Sequence, residues 1–145
     1  MGAITPTDEV DWAALRAAAL AAAAHAYAPY SGFHVGAAGR TEDGRIVSGC
    51  NVENVSYGLT VCAEVVMAGQ LHITGGGRLV AVTVVAGDGN GAMPCGRCRQ
   101  ILVEHGGREC LVDGDGTIRT VGELLPHAFT GHDLATRTQA RENPS

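Results

Sequence analysis

Leu79-Val80-Ala81-Val82-Thr83-Val84-Val85-Ala86 carries no charge and is rich in β-branched side chains. A strand with one wet face alternates apolar and polar residues, whereas a strand covered on both faces does not have to. Gly75-Gly76-Gly77 before it and Gly87-Asp88-Gly89-Asn90-Gly91 after it read as breaks. The run is therefore predicted to be a buried central strand, with a helix packed on each side of the sheet to which it belongs.

The flanking segments supply those helices. One is expected from Thr60 or Val61 to about His72. Another runs from Pro94, a residue suited to a first helical position, to His105, where Gly106-Gly107 stops it. Further upstream, Phe33 to Ala37 and Ile46 to Val52 flank Thr41-Glu42-Asp43-Gly44, and Asp-Gly is a strong hairpin signal. Period-two alternation then directs Val47, Gly49, Asn51 and Glu53 to one side of the second strand. An alanine-rich helix starts near Thr7 or Asp8 and ends at Pro29, with Leu15, Ala18, Ala19, Ala22 and Ala26 forming a face of small side chains suited to close packing. Two short strands, Glu109 to Asp113 and Thr117 to Val121, flank Gly114-Asp115-Gly116, and a short helix follows near Glu123. The fold class is α/β: one mixed sheet of about five strands with helices on both faces. Residues 1–134 form one domain, and 135–145 form a polar tail.

Composition narrows the partners. The 145-residue chain has a formal charge of −5, its ten basic residues are all arginine, and they form no basic stripe. A small-molecule ligand is expected and a polynucleotide is not. The five cysteines are an odd count, which argues against a complete disulfide framework and for a reducing, cytoplasmic setting. Ala13 to Ala28 imitates a signal-peptide core, but acids precede it and Arg16 and His25 interrupt it. It is also too short to span a bilayer, so no membrane association is expected.

The chemistry lies at the starts of the two flanking helices. Thr60-Val61-Cys62-Ala63-Glu64 and Pro94-Cys95-Gly96-Arg97-Cys98 bring three thiols and one carboxylate. Three protein ligands leave the fourth tetrahedral position of zinc open for water, and a non-ligating acid can move that water's protons. Cys95 and Cys98 are three apart and share a helix face, and a helix N-terminus favours thiolate. Two rival readings are a structural zinc site, completed by Cys50, Cys110 or a histidine, and a redox Cys-x-x-Cys. The first has no use for Glu64, and the second leaves Cys62-Ala63-Glu64 unexplained. Cys50 and Cys110 otherwise read as buried small hydrophobes. Asp113 to Thr117 resembles the start of a calcium loop, but Leu124 stands where the last ligand should be, so it reads as a turn.

Cys-x-Glu followed by Pro-Cys-x-x-Cys is the all-cysteine form of the zinc deaminase pattern. Together with Tyr30-Ser31-Gly32-Phe33, Gly49-Cys50-Asn51-Val52-Glu53-Asn54 and Cys98-Arg99-Gln100-Ile101-Leu102, it resembles the small homotetrameric cytidine deaminases over roughly residues 8–134. The resemblance implies an αβα sandwich and one Zn²⁺ per chain on Cys62, Cys95 and Cys98. It also implies hydrolytic deamination of cytidine and deoxycytidine in pyrimidine salvage, with Glu64 as the proton carrier. Asn51 and Glu53 match residues that bind the ribose hydroxyls, Phe33 a base-packing aromatic, and the Ala63 backbone a contact to the base. Tyr57 and Phe129 match residues at subunit boundaries, so active sites shared within a homotetramer are expected. A deaminase of a cytosine-bearing antibiotic such as blasticidin S is the neighbouring possibility, and a zinc-stapled interaction module is the rival from another class. The family usually has arginine directly after the catalytic glutamate, where this chain has Val65. Arg97 and Arg99 are then the expected partners for the thiolate charge.

Overall fold

The computed structural model describes residues 9–142. Helix α1 (Trp12–Ala23) is followed by β1 (Val35–Thr41), β2 (Ile46–Cys50), α2 (Ala63–Ile73), β3 (Leu79–Ala86), α3 (Gly96–Gly106), β4 (Leu111–Asp113), β5 (Ile118–Thr120), α4 (Val121–Leu124) and α5 (Gly131–Glu142). The strands form one sheet in the order β2-β1-β3-β4-β5. Only the β3–β4 pair is parallel, and α3 is the crossover that a parallel pair requires.

β3 occupies the middle of the sheet and is covered on both sides, which is why its sequence does not alternate. On one side Val82 and Val84 pack with Met67 and Leu71 of α2 and Leu102 of α3. On the other, Ala81 and Val85 pack with Leu15 and Ala19 of α1. Thr83 is the polar member of the run, and its hydroxyl donates to the Asp113 backbone oxygen or carboxylate, each at 3.2 Å. Arg16 Nε of α1 reaches the same buried carboxylate at 2.6 Å. That pair ties α1 to the end of β4. Among the described residues every buried side-chain nitrogen and oxygen has a partner, and no helix is long and apolar enough to cross a membrane.

Two glycines set how closely the layers approach. A Cβ on Gly36 would lie 1.8 Å from the Ala19 carbonyl oxygen of α1, and one on Gly49 would lie 2.4 Å from the Met67 amide nitrogen of α2. The small-residue face of α1 fits this, although the fully buried set is Leu15, Ala19 and Ala23, with Ala18, Ala22 and Ala26 at its margins.

Several element ends differ from expectation, each for a tertiary reason. Thr7 and Asp8 lie outside the described residues; the helix is capped by Asp11, whose carboxylate accepts from the Ala14 N–H at 3.0 Å. α1 ends at Ala23 instead of Pro29, because Tyr27 pairs with the chain beyond β2, donating to Asn51 O at 3.0 Å and accepting from Glu53 N at 2.8 Å. Alanine's helix propensity is a weak preference against two such bonds. α2 begins at Ala63, because Val61 is held extended by reciprocal 3.0 Å bonds with Val52. Pro94 precedes α3 without entering it, and Cys95 is the N-cap. Most of the expected polar tail is helix α5, whose start is held by the Asp133 carboxylate, which accepts from the Thr130 N–H at 2.8 Å and hydroxyl at 3.0 Å.

Candidate active site

The turn-to-helix junctions of α2 and α3 lie side by side, and both N-caps are cysteines. Cys62 Sγ is 4.0 Å from Cys95 Sγ, and all three sulfurs of Cys62, Cys95 and Cys98 lie within 4.8 Å of one another. Zinc–sulfur bonds of about 2.3 Å at a tetrahedral angle place sulfurs about 3.8 Å apart, so the trio fits that ion with little adjustment. Among the described residues no other group of three metal-binding side chains comes together. Cys50 and Cys110, the candidate fourth ligands, are outside the trio. Cys110 is buried, and burial pushes its thiol up to about 12. Cys50 is only half-buried, a correction to the expectation of a buried side chain.

The donor set also fits a cation chemically. Burial raises the thiols of Cys62 and Cys98 above their ordinary range, so three thiolates together require positive charge among them. Burial acts on Cys95 in the same direction but is outweighed by hydrogen bonds, including those from the backbone N–H groups of Cys98 and Arg97, and its thiol is lowered. These amides take on part of the charge balance that Val65 leaves open. The guanidinium of Arg99 donates to the carbonyls of Pro94 and Leu124, each at 2.9 Å, and Arg97 is exposed. Among the described residues neither side chain is hydrogen-bonded to a sulfur. The Arg97 backbone N–H is one of the donors to Cys95, and the Arg99 side chain braces the turn that presents Cys95.

Glu64, in the first turn of α2, is only 4% exposed. Burial raises its carboxyl above the usual range, against a hydrogen bond from its own backbone N–H and one from the Cys98 thiol. The carboxyl lines a cavity of about 190 Å³ with Cys62, Cys95, Asn51 and a largely apolar wall that includes Val35, Val84 and Met93. Phe33 and Ala63 border the same cavity. The Asn51 amide donates to Phe33 O at 2.8 Å, and its carbonyl accepts from Val35 N at 2.9 Å. One N–H and one lone pair of that side chain remain for a ligand.

A second depression adjoins the first through Thr60, which lines both, and also involves Tyr30, Ser31, Glu53 and Tyr57. Glu53 is held there by Tyr30 N at 2.9 Å, Ser31 N at 3.1 Å and the Ser31 hydroxyl at 2.6 Å. The Ser31 hydroxyl in turn accepts from Phe33 N at 3.0 Å. Three donors on one carboxylate leave about one acceptor position free. The Ser31 hydroxyl bond is the largest influence keeping the Glu53 carboxyl below its usual range. Sequence reasoning gives Ser31 no role, although a serine two residues before a loop aromatic is a local turn signal. Tyr57 packs edge-on against Tyr30, with centroids 5.9 Å apart, and is 74% exposed. Phe129 is also exposed and borders neither depression of its own chain; Gln100 Nε2 donates to its carbonyl at 2.8 Å.

Known proteins resemble this chain in sequence and fold. Residues 11–113 match the family model described as cytidine and deoxycytidylate deaminase zinc-binding region. A cytidine deaminase from Mycobacterium tuberculosis is 60% identical over 126 residues, which is 87% of this chain and 95% of that protein. The crystal structure of cytidine deaminase from Mycobacterium tuberculosis superposes with a TM-score of 0.82 at 60% identity, covering 83% of this chain and 98% of that one. The Burkholderia pseudomallei cytidine deaminase structure gives 0.75 at 43% identity, covering 83% and 100%. The thiols at the two helix starts and the buried acid beside them therefore lie within a matched zinc-binding region, and the chain belongs to the cytidine and deoxycytidylate deaminase zinc-binding family.

Proposed function

We propose that the protein hydrolyses cytidine and deoxycytidine to the corresponding uridines and ammonia, as a step of pyrimidine salvage in the cytoplasm. The observation that carries the reading is the buried Glu64 carboxyl beside three converging thiols in a cavity with apolar walls. Cys62, Cys95 and Cys98 would hold zinc, which lowers the pKa of a bound water towards neutrality. Glu64 accepts the proton of the attacking water and delivers it to ring N3, which makes C4 electrophilic. The water oxygen bonds to C4. Glu64 takes the second proton from that oxygen as it becomes the C4 carbonyl and passes the proton to the amino group, so that the C4–N bond breaks and ammonia leaves. Val35, Val84 and Met93 exclude bulk solvent around the base. The cavity is small against typical ligand pockets of about 300–1,000 Å³, so it suits the base alone, and the neighbouring depression suits the sugar. Glu53 offers its free acceptor position to a sugar hydroxyl and repels phosphate, which favours a nucleoside over a nucleotide.

The test is the loss of ultraviolet absorbance on adding cytidine, deoxycytidine or blasticidin S, with zinc quantified per chain. Turnover of the first two supports the reading. Turnover of blasticidin S alone redirects it, and zinc without turnover overturns it.

Ser31→Ala checks the sugar subsite. Removing the hydroxyl donor raises the Glu53 pKa, so the acid limb of the KM profile moves to higher pH. In the wild type that limb lies below the ordinary carboxylate range, because the carboxylate form is the one that is hydrogen-bonded. At neutral pH we expect a higher KM with kcat nearly unchanged. A fall in kcat alone would place Ser31 elsewhere in the mechanism.

Exposed Phe129 and Tyr57 support a homotetramer in which each cavity is completed by neighbouring chains. Aromatic stacking on a base contributes about 1–3 kcal/mol, so Phe129→Ala should weaken kcat/KM about 5- to 150-fold. Co-expressing Phe129→Ala chains with Glu64→Gln chains should restore activity, because mixed tetramers contain sites with both residues intact. Activity no higher than the average of the two separate variants would mean that sites are not shared.

A further inference from the structure

His72 and His105 stand outside every motif of the sequence, yet they meet in space. His72 is in the last turn of α2 and His105 in the last turn of α3. His72 Nε2 lies 3.3 Å from His105 Nδ1, with the rings inclined at 68° and their centroids 4.9 Å apart. His72 is exposed and His105 half-buried, so solvent reaches the pair.

That separation suits a shared metal ion. At metal–nitrogen bonds of about 2.0–2.1 Å, two imidazoles at a tetrahedral angle have their ligating nitrogens about 3.3–3.4 Å apart. The location favours a cation as well, since the negative ends of two helix dipoles converge there. We propose that His72 and His105 form a second, solvent-open site for a divalent transition-metal ion of the imidazole-preferring class, such as Ni²⁺ or Zn²⁺. It clips together the C-terminal ends of the two helices whose N-terminal ends carry the thiols. Eleven helical residues span roughly 16 Å, so this site is separate from the cysteine trio.

Without metal, the two rings share a hydrogen bond in which one ring nitrogen carries the proton. With His72 protonated at Nδ1 and His105 at Nε2, both lone pairs face the same point and the ion replaces that proton. Burial, and then neighbouring His72, holds His105 below the ordinary imidazole range, which keeps it available as a neutral ligand near neutrality. No third side chain of the described residues joins the pair in a metal-binding group. Water completes the coordination, and the ion exchanges readily.

The probe is Ni²⁺, titrated by equilibrium dialysis into the zinc-loaded protein, with both metals measured per chain. One additional nickel per chain is expected in the wild type, together with a rise in melting temperature. His72→Ala and His105→Ala should each weaken nickel binding at least about tenfold while zinc content and the nickel-free melting temperature hold. His25→Ala, a lone exposed histidine, should change nothing. The proposal is overturned if the wild type takes up no nickel below about 1 mM. It is equally overturned if nickel binding is lost in only one of the two variants, or in neither.

Discussion

Glu64→Gln is expected to keep the protein folded and zinc-loaded while lowering kcat on cytidine by about 10²–10⁴-fold, the usual contribution of a positioned acid–base group. The amide is nearly isosteric with the carboxyl, so it fits the same buried position. It cannot take up a proton. The zinc ligands are untouched because the sulfurs come from Cys62, Cys95 and Cys98. The measurements are zinc per chain, melting temperature and kcat on the same preparation. A kcat near that of the wild type would remove Glu64 from the proton path. Loss of zinc together with activity would make it a structural support of the trio instead.

The chemistry is easier to read from the chain than the geometry that supports it. Cysteine spacing is a strong signal because few residue types bind zinc and their offsets on a helix are fixed. Cys95 and Cys98 are therefore legible from their spacing, and Cys62 from its place beside Glu64 in the zinc deaminase pattern. The middle of the sheet is legible for a similar reason: Leu79 to Ala86 matches β3 residue for residue, since a doubly covered strand leaves little choice of side chain. Local propensity misleads at the ends of elements. The alanine run ends early because Tyr27 is needed beside Asn51 and Glu53, a contact between segments more than twenty residues apart. α5 escapes a sequence reading because it lacks an apolar stripe and its only local signal is the Thr130–Asp133 cap. The grip of Ser31 on Glu53 depends on the same long-range approach and has no periodicity to reveal it. At Cys95 the backbone N–H groups of Arg97 and Cys98 lower the thiol, a contribution from local backbone geometry that no side-chain motif announces.

Gly49→Ala tests whether the sheet positions the zinc ligands. Its Cβ would lie 2.4 Å from Met67 N and 2.6 Å from Ala63 O, both backbone atoms of α2. No side-chain rotation relieves such a contact, so the helix must move off β2 by an amount on the order of an ångström. Overpacking of this kind typically costs about 1–3 kcal/mol of stability. Cys62, Ala63 and Glu64 are at the start of the displaced helix, and a 1 Å misplacement can cost about 10²-fold in rate. We therefore expect a lower melting temperature and also a fall in kcat of that order, measured on folded protein carrying its zinc. Gly36→Ala is the control. Its Cβ would meet Ala19 O at 1.8 Å and Ala23 N at 2.7 Å, which pushes away α1, a helix that carries no zinc ligand. That variant should lose at least as much stability, while its folded fraction turns over at close to the wild-type rate. If Gly49→Ala destabilises the protein but leaves kcat intact, the position of Glu64 is set by the metal site itself and not by the seating of α2 on the sheet.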